Sequence, residues 1–215
     1  MPAEAAPSLV SPVSTSRHSF EAPLRLGIMA SGNGSNLESI AQAIADHQLQ
    51  ARIQVLLYNK PDIQAAERAD RWEIPKHLLN HKEFASREAL DEAIVALLHQ
   101  YQVDWVIMAG WMRIVTPVLI EAFPHRILNI HPSLLPSFPG VRAVEQALAA
   151  GVKIAGCTVH YVIPEVDSGS ILMQAAVPVL ENDTPETLHQ RIQEQEHRIY
   201  PQAIGLAASQ VRSVD

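Results

Sequence analysis

Apolar positions along the chain fall into two alternating kinds of run. Short, almost continuous apolar stretches occur at residues 24–30 (LRLGIMA), 52–58 (RIQVLLY), 103–109 and 126–130. Such runs are the mark of strands buried on both faces. A briefer strand is predicted at 76–79 and two longer ones at 153–163 and 170–179. Between them the apolar residues recur with helical period, at 36–45, at 63–71 behind Pro61, and at 86–100. In the last of these Leu90, Ile94, Leu97 and Leu98 share a face and Ser86 stands where a cap belongs. Thr116-Pro117 opens a further helix, a capping residue followed by proline at the first helical position. Residues 144–150 make a short helix closed by Gly151, and a final one starts near Thr184-Pro185 and runs past Tyr200.

Strand–helix alternation over the first two-thirds predicts an α/β fold, with a doubly wound, mostly parallel sheet of about seven strands. The last two strands have no helix between them, which predicts an antiparallel edge. Ligands in such sheets bind beyond the carboxyl ends of the strands. Residues 24–207 are therefore expected to form one domain. Residues 1–23 are rich in Pro, Ser and Ala without periodicity, and they read as a disordered N-terminal tail. They lack the charged-then-apolar order of a secretory signal, and a single Arg17 beside Glu4 and Glu21 is a poor transit peptide. Residues 208–215 read as a C-terminal tail.

Composition narrows the classes. A formal net charge of −7 argues against nucleic-acid binding, which needs clustered Lys and Arg. Cys157 is the one cysteine, so neither an internal disulfide nor a metal-ligand spacing is available; within IAGCTVHYV it reads as a buried, inert thiol. No apolar run approaches the ~18 residues of a membrane span. A cytoplasmic protein without metal, membrane or nucleic-acid partners is expected.

Ser31-Gly32-Asn33-Gly34-Ser35-Asn36-Leu37 follows the first long strand and opens a helix. Glycines permit a tight turn that presents N–H groups to an anion, and the helix N-terminus adds a favourable dipole. A phosphate suits it, although a plain strand–helix connector has the same sequence. A dinucleotide fingerprint fails here. Leu37 stands where a small residue is required, and Tyr58-Asn59 stands where the ribose-binding acid belongs.

Asn129-Ile130-His131-Pro132 also follows a strand. Positions two apart face one side, so Asn129 and His131 look into one space while Ile130 turns to the core. An amide can stabilise a developing oxyanion, and an imidazole exchanges protons near neutrality. His47, His81, His99, His125 and His189 read as ordinary surface or core histidines. In Pro164-Glu165-Val166-Asp167-Ser168-Gly169 the residues suit a hairpin turn. Asp167 could also reach His131, where a carboxylate favours the protonated ring. In Arg191-Ile192-Gln193-Glu194-Gln195-Glu196-His197, Gln193 and Glu196 share a helix face, either solvated or holding a substrate.

SGNGSNL, AGWMRI, NIHPSLLPSFPG, VDSG and RIQEQEH together, in this order and spacing, resemble the phosphoribosylglycinamide formyltransferase family from about Leu24 to Leu206. The resemblance implies a formyltransferase Rossmann-like fold. It implies transfer of the formyl group of 10-formyltetrahydrofolate to the amine of 5-phosphoribosylglycinamide in purine synthesis, with no metal. It makes Asn129, His131 and Asp167 the catalytic trio. It gives Gly34, Ser35, Asn36, Leu37 and Glu38 to the substrate phosphate, and Gln193, Glu194, Gln195 and Glu196 to its glycinamide end. It gives Arg87, Met112, Arg113, Ile114, Val115, Asn129, and Ile163, Pro164, Glu165, Val166 and Asp167 to the folate. Many relatives carry histidine where Val144 stands, and some carry lysine where Ser137 stands. Formyltetrahydrofolate deformylase and methionyl-tRNA formyltransferase resemble the same trio. Each adds a further domain for which residues before 24 or after 207 leave little room. The partners expected are small molecules, and the protein a monomer or weak homodimer.

Overall fold

The computed structural model describes residues 9–13 and 19–211. In chain order these form β1 (Leu9–Ser11), β2 (Leu24–Ala30), α1 (Ser35–Ala45), β3 (Ala51–Tyr58), α2 (Gln64–Arg71), β4 (Lys76–Leu78) and α3 (Arg87–Gln100). They continue with β5 (Trp105–Met108), α4 (Pro117–Ala122), β6 (Ile127–His131), α5 (Ala143–Ala149), β7 (Ile154–Tyr161), β8 (Ile171–Pro178) and α6 (Pro185–Val211).

One eight-stranded sheet runs in the order β1-β8-β7-β6-β5-β2-β3-β4. The pairings from β6 through β5, β2 and β3 to β4 are parallel. Those from β6 through β7 and β8 to β1 are antiparallel. The sheet matches the expected mostly parallel arrangement of about seven strands, with eight among the described residues because the antiparallel edge is one strand wider. The extra strand comes from the segment read as a disordered tail: Leu9, Val10 and Ser11 pair with Ala176, Ala175 and Gln174 of β8. Three residues carry too little pattern to announce a strand, and the backbone ladder offered by β8 orders them. The other correction is at the far end, where α6 continues through the predicted tail boundary to Val211 with Ala207 and Ala208 buried.

Side chains of the sheet pack on two sides. Leu26, Ile28, Leu56 and Ile107 meet Leu37 and Ile40 of α1 and Ile192, Ile199 and Ile204 of α6. On the other side Met29, Leu57 and Val106 meet Leu90, Ile94 and Leu98 of α3 and Leu119 of α4. The Tyr200 hydroxyl, fully buried on α6, lies 3.1 Å from the Met108 carbonyl and 3.0 Å from that of Leu128. It thereby ties the last helix to the two central strands β5 and β6. Ser86 caps α3 through a bond from Ala89 N. Pro117 opens α4 as predicted, but Thr116 makes no side-chain cap. Its own N–H instead donates to the buried Asp91 carboxylate at 2.6 Å.

Candidate active site

The chain builds outward from β2 in both directions, through β3 and β4 on one side and β5 and β6 on the other. The carboxyl ends of β2 and β5 therefore diverge into the crevice where doubly wound sheets place ligands. Two loops meet there and are fastened together: Ser31 N donates to Gly110 O at 3.0 Å, and Met112 N to Ser31 Oγ at 2.9 Å. Gly34 ends the turn with φ 77°, and a Cβ there would lie 2.7 Å from Ala65. Glycine is therefore required twice over, for the left-handed backbone and for the approach of α2. The first N–H groups of α1 are left without intrahelical acceptors.

Asn129 and His131 leave the same face of β6, as strand periodicity requires. The register also brings His160 of β7 directly opposite Asn129. The Nδ1–H of His160 is held by the Tyr161 carbonyl at 2.9 Å, and its Nε2 meets the Asn129 amide nitrogen at 3.1 Å. One amide N–H of Asn129 is thereby committed and the other is left for the cavity. His131 directs Nε2 to the Phe138 carbonyl at 2.9 Å. Its Nδ1 lies 3.4 Å from Asp167 Oδ2, and His160 Nε2 lies 3.6 Å from Asp167 Oδ1. Asp167 itself sits at φ 52°, a left-handed conformation that aspartate tolerates better than most residues. Gly140 N donates to its Oδ2 at 2.7 Å. Burial works to raise the Asp167 pKa, but the neighbouring His160 and His131 imidazoles and the bond from Gly140 outweigh it, and the carboxyl is held below its usual range.

The opposite wall comes from α6. Gln193 Nε2 donates to Ser35 Oγ at 2.9 Å, and Asn36 Nδ2 donates to Glu196 Oε2 at 2.9 Å. Burial pushes the Glu196 carboxyl above its ordinary pKa, against the Asn36 bond and the charge of His189. Asn36 Oδ1 is buried with no hydrogen-bond partner among the described residues, and Asn36 belongs to the cavity wall.

These parts enclose a cavity of about 640 Å³, within the range of small-molecule sites. Its wall includes Met112, Ile114, Val141, Ile163 and Val166, apolar side chains that stand exposed. Exposed apolar groups gathered in one concavity suit the flat face of an organic ligand. Trp111 Nε1 and Arg113 Nε, on the same wall, are buried with no hydrogen-bond partner among the described residues.

The structure therefore gathers Gly34, Ser35, Asn36, Met112, Arg113, Ile114, Val115, Asn129, His131, Ile163, Pro164, Glu165, Val166, Asp167, Gln193 and Glu196 around one space. Five expected residues stand outside that wall. Leu37 is fully buried in the core, because its position on α1 points inward. Glu38 turns behind the glycine turn to Arg68, Arg71 and Trp72. Glu194 and Gln195 lie on helix positions between the two that face the cavity, so neither reaches it. Arg87 is exposed at the start of α3, away from the wall.

Other residues of the wall escaped the sequence reading. His160 reads as one more alternating position in a strand until its register is known. His189 reads in the sequence as an ordinary surface or core histidine, yet it sits one turn before Gln193 on the same helix face and lines the cavity. The spacing 189, 193, 196 carries that signal once Gln193 is singled out. Arg142 lines the cavity from the start of α5. Val144 is buried and packs into the core, whereas Ser137 is exposed outside the wall.

Comparison with known proteins gives one consistent result. A family model described as formyl transferase matches residues 24–204. The chain is 42% identical to the phosphoribosylglycinamide formyltransferase of Bacillus subtilis (strain 168), over 84% of this chain and 92% of that protein. It is 41% identical to the human trifunctional purine biosynthetic protein adenosine-3, over 91% of this chain but only 19% of that much longer protein. Among solved structures it resembles glycinamide ribonucleotide transformylase 1 from Symbiobacterium toebii, with TM-score 0.86 and 46% identity over 88% of this chain and 90% of that one. It also resembles phosphoribosylglycinamide formyltransferase from Bacillus halodurans, with TM-score 0.82 and 45% identity over 86% of this chain and 94% of that one.

Proposed function

The chain belongs to the formyl transferase family, and from that premise we propose that it transfers the formyl group of 10-formyltetrahydrofolate to the amine of 5-phosphoribosylglycinamide, a step of purine biosynthesis. The observation that carries this reading is the convergence of Asn129, His131 and Asp167 on one side of the cavity that Ser35, Asn36, Gln193 and Glu196 close on the other. An acyl transfer between two bound molecules needs an oxyanion stabiliser and a proton carrier set between them.

In this reading the phosphate lies on the N–H groups that open α1, and the folate ring system lies against Met112, Ile114, Val141 and Val166. The amine nitrogen forms a bond to the formyl carbon, whose oxygen becomes an oxyanion. Asn129 offers that oxygen its uncommitted N–H. The bond from the formyl carbon to the folate nitrogen then breaks. With its own proton on Nδ1, toward Asp167, His131 turns the free Nε2 from the Phe138 carbonyl to the substrate and carries the proton from the attacking amine to the leaving nitrogen. Asp167 stays ionised across the neutral range and holds the ring through Nδ1. His160 steadies both Asn129 and Asp167. The trio is the catalytic set, and His160 acts as a positioning residue. The protein works in the cytoplasm as a monomer or weak homodimer.

The test is a spectrophotometric assay of formyl loss from a 10-formyl folate, with and without glycinamide ribonucleotide. Loss only with the ribonucleotide is expected. Equal loss with water alone would make the chain a deformylase, and no loss from folded protein would reject both.

A further inference from the structure

Asn33 occupies the centre of the glycine turn, between Gly32 and Gly34, the two residues with the most backbone freedom to lose. Something must hold it if the N–H groups after it are to keep their direction. Behind the turn, outside the cavity wall, stands Arg68 of α2. Its Nε donates to Asn33 O at 2.9 Å and its Nη2 to Asn33 Oδ1 at 3.2 Å. Its Nη1 donates to Glu38 Oε2 at 2.8 Å. The Arg68 side chain is 23% exposed; its bond to Glu38 is partly shielded from water, while its two bonds to Asn33 face solvent. Glu38 is fixed in turn by Trp72 Nε1 at 2.8 Å and Arg71 Nη2 at 2.9 Å.

The start of α2 adds two more holds. Ala65 N donates to Gly32 O at 3.1 Å, and Asn33 Nδ2 donates to Gln64 Oε1 at 2.5 Å. The planar guanidinium thus spans the turn and the first helical turn of α1, with two donors on Asn33 and one on Glu38. A rigid fork is what such a double hold requires; an ammonium at the same place offers no fixed geometry.

We propose that Arg68 is a positioning residue for phosphate recognition: it never touches the substrate but fixes the glycine turn whose N–H groups bind the substrate's phosphate. This rests on the phosphate placement given above. Glu38 then serves the phosphate site indirectly, by fixing the guanidinium that fixes Asn33.

The test compares Arg68→Met with Arg71→Met. Both variants remove a cation from Glu38, and only the first releases Asn33. The measurements are calorimetric binding of ribose 5-phosphate and steady-state KM and kcat for both substrates. For Arg68→Met we expect ribose 5-phosphate binding and the KM for the ribonucleotide to worsen about tenfold. The folate KM and kcat should stay within twofold. Arg68→Lys should recover only part of the loss, and Arg71→Met, which keeps the Arg68 and Trp72 bonds to Glu38 and both Arg68 bonds to Asn33, should lose no more than about twofold. Equal losses in Arg68→Met and Arg71→Met would overturn the proposal, as would unchanged ribose 5-phosphate binding in Arg68→Met. If the unmodified protein binds no ribose 5-phosphate, the phosphate placement and the brace fall together. Absence of formyl transfer with intact ribose 5-phosphate binding rejects the reaction alone, and the binding comparison still decides the brace.

Discussion

Replacing Asp167 by Asn tests how far catalysis depends on a charge held beside His131. The amide keeps the side chain's size and can still accept the Gly140 N–H through its oxygen. What disappears is the negative charge 3.4 Å from His131 Nδ1. With an effective permittivity of about 20–40 for a mostly buried pair, a unit charge at that distance is worth roughly 2–5 kcal/mol to the imidazolium formed during proton transfer. At about 1.4 kcal/mol per decade, kcat should fall by roughly two to three orders of magnitude. Single-turnover formyl transfer at saturating folate and ribonucleotide measures this directly, with substrate binding followed separately. Both dissociation constants should change much less than the rate. The pH dependence supplies a second check. Because the Asp167 carboxyl is held below its ordinary pKa, its contribution is present through the neutral range and disappears only as pH falls below the usual carboxylate range. A variant retaining a tenth or more of normal turnover at neutral pH would refute the electrostatic role.

Glu196→Gln should lose ribonucleotide affinity yet raise thermal stability at neutral pH. Its buried carboxyl has a raised pKa, so the ionised form penalises the native state above the ordinary carboxylate range. A gain of about 1 kcal/mol, or roughly 2–4 °C in Tm, should shrink on acidification; a gain independent of pH refutes it. Gly34→Ala forces a side chain into φ 77° and against Ala65. It should cost roughly 2 kcal/mol or more in denaturant unfolding and weaken ribose 5-phosphate binding, and an unperturbed unfolding midpoint would be the contrary result. Tyr200→Phe strips two strand carbonyls of their shared hydroxyl and should cost roughly 1–3 kcal/mol. Calorimetry showing no change in Tm would mean the bond contributes nothing.

The legible parts of this molecule are those governed by local period. The long strands and helices follow from apolar spacing, and the Asn129–His131 pair from the two-residue repeat of a strand. Features that depend on distant partners were hidden. Leu9–Ser11 becomes a strand only because β8 offers it an edge. His160 matters because antiparallel register sets it across from Asn129. The resemblance gives Leu37 and Glu38 to the phosphate segment, but no local pattern shows where their side chains go. Helical rotation turns that of Glu38 to the back, where Arg68 meets it. The same rotation sends that of Leu37 into the core.

The junction of α1 with α6 bears on how the protein is made. Ser35 meets Gln193 across 158 positions and Asn36 meets Glu196 across 160. At about 5–20 residues per second, a ribosome needs roughly 8–30 s between synthesising the two halves of this wall. Throughout that interval the nascent chain presents a glycine turn with no opposing helix, and this wall of the cavity is open. Binding competence therefore arrives late and in one step, when α6 leaves the exit tunnel and docks. If the ribonucleotide binds across that junction as proposed, it opposes the helix's departure and should protect the folded protein from unfolding through mass action.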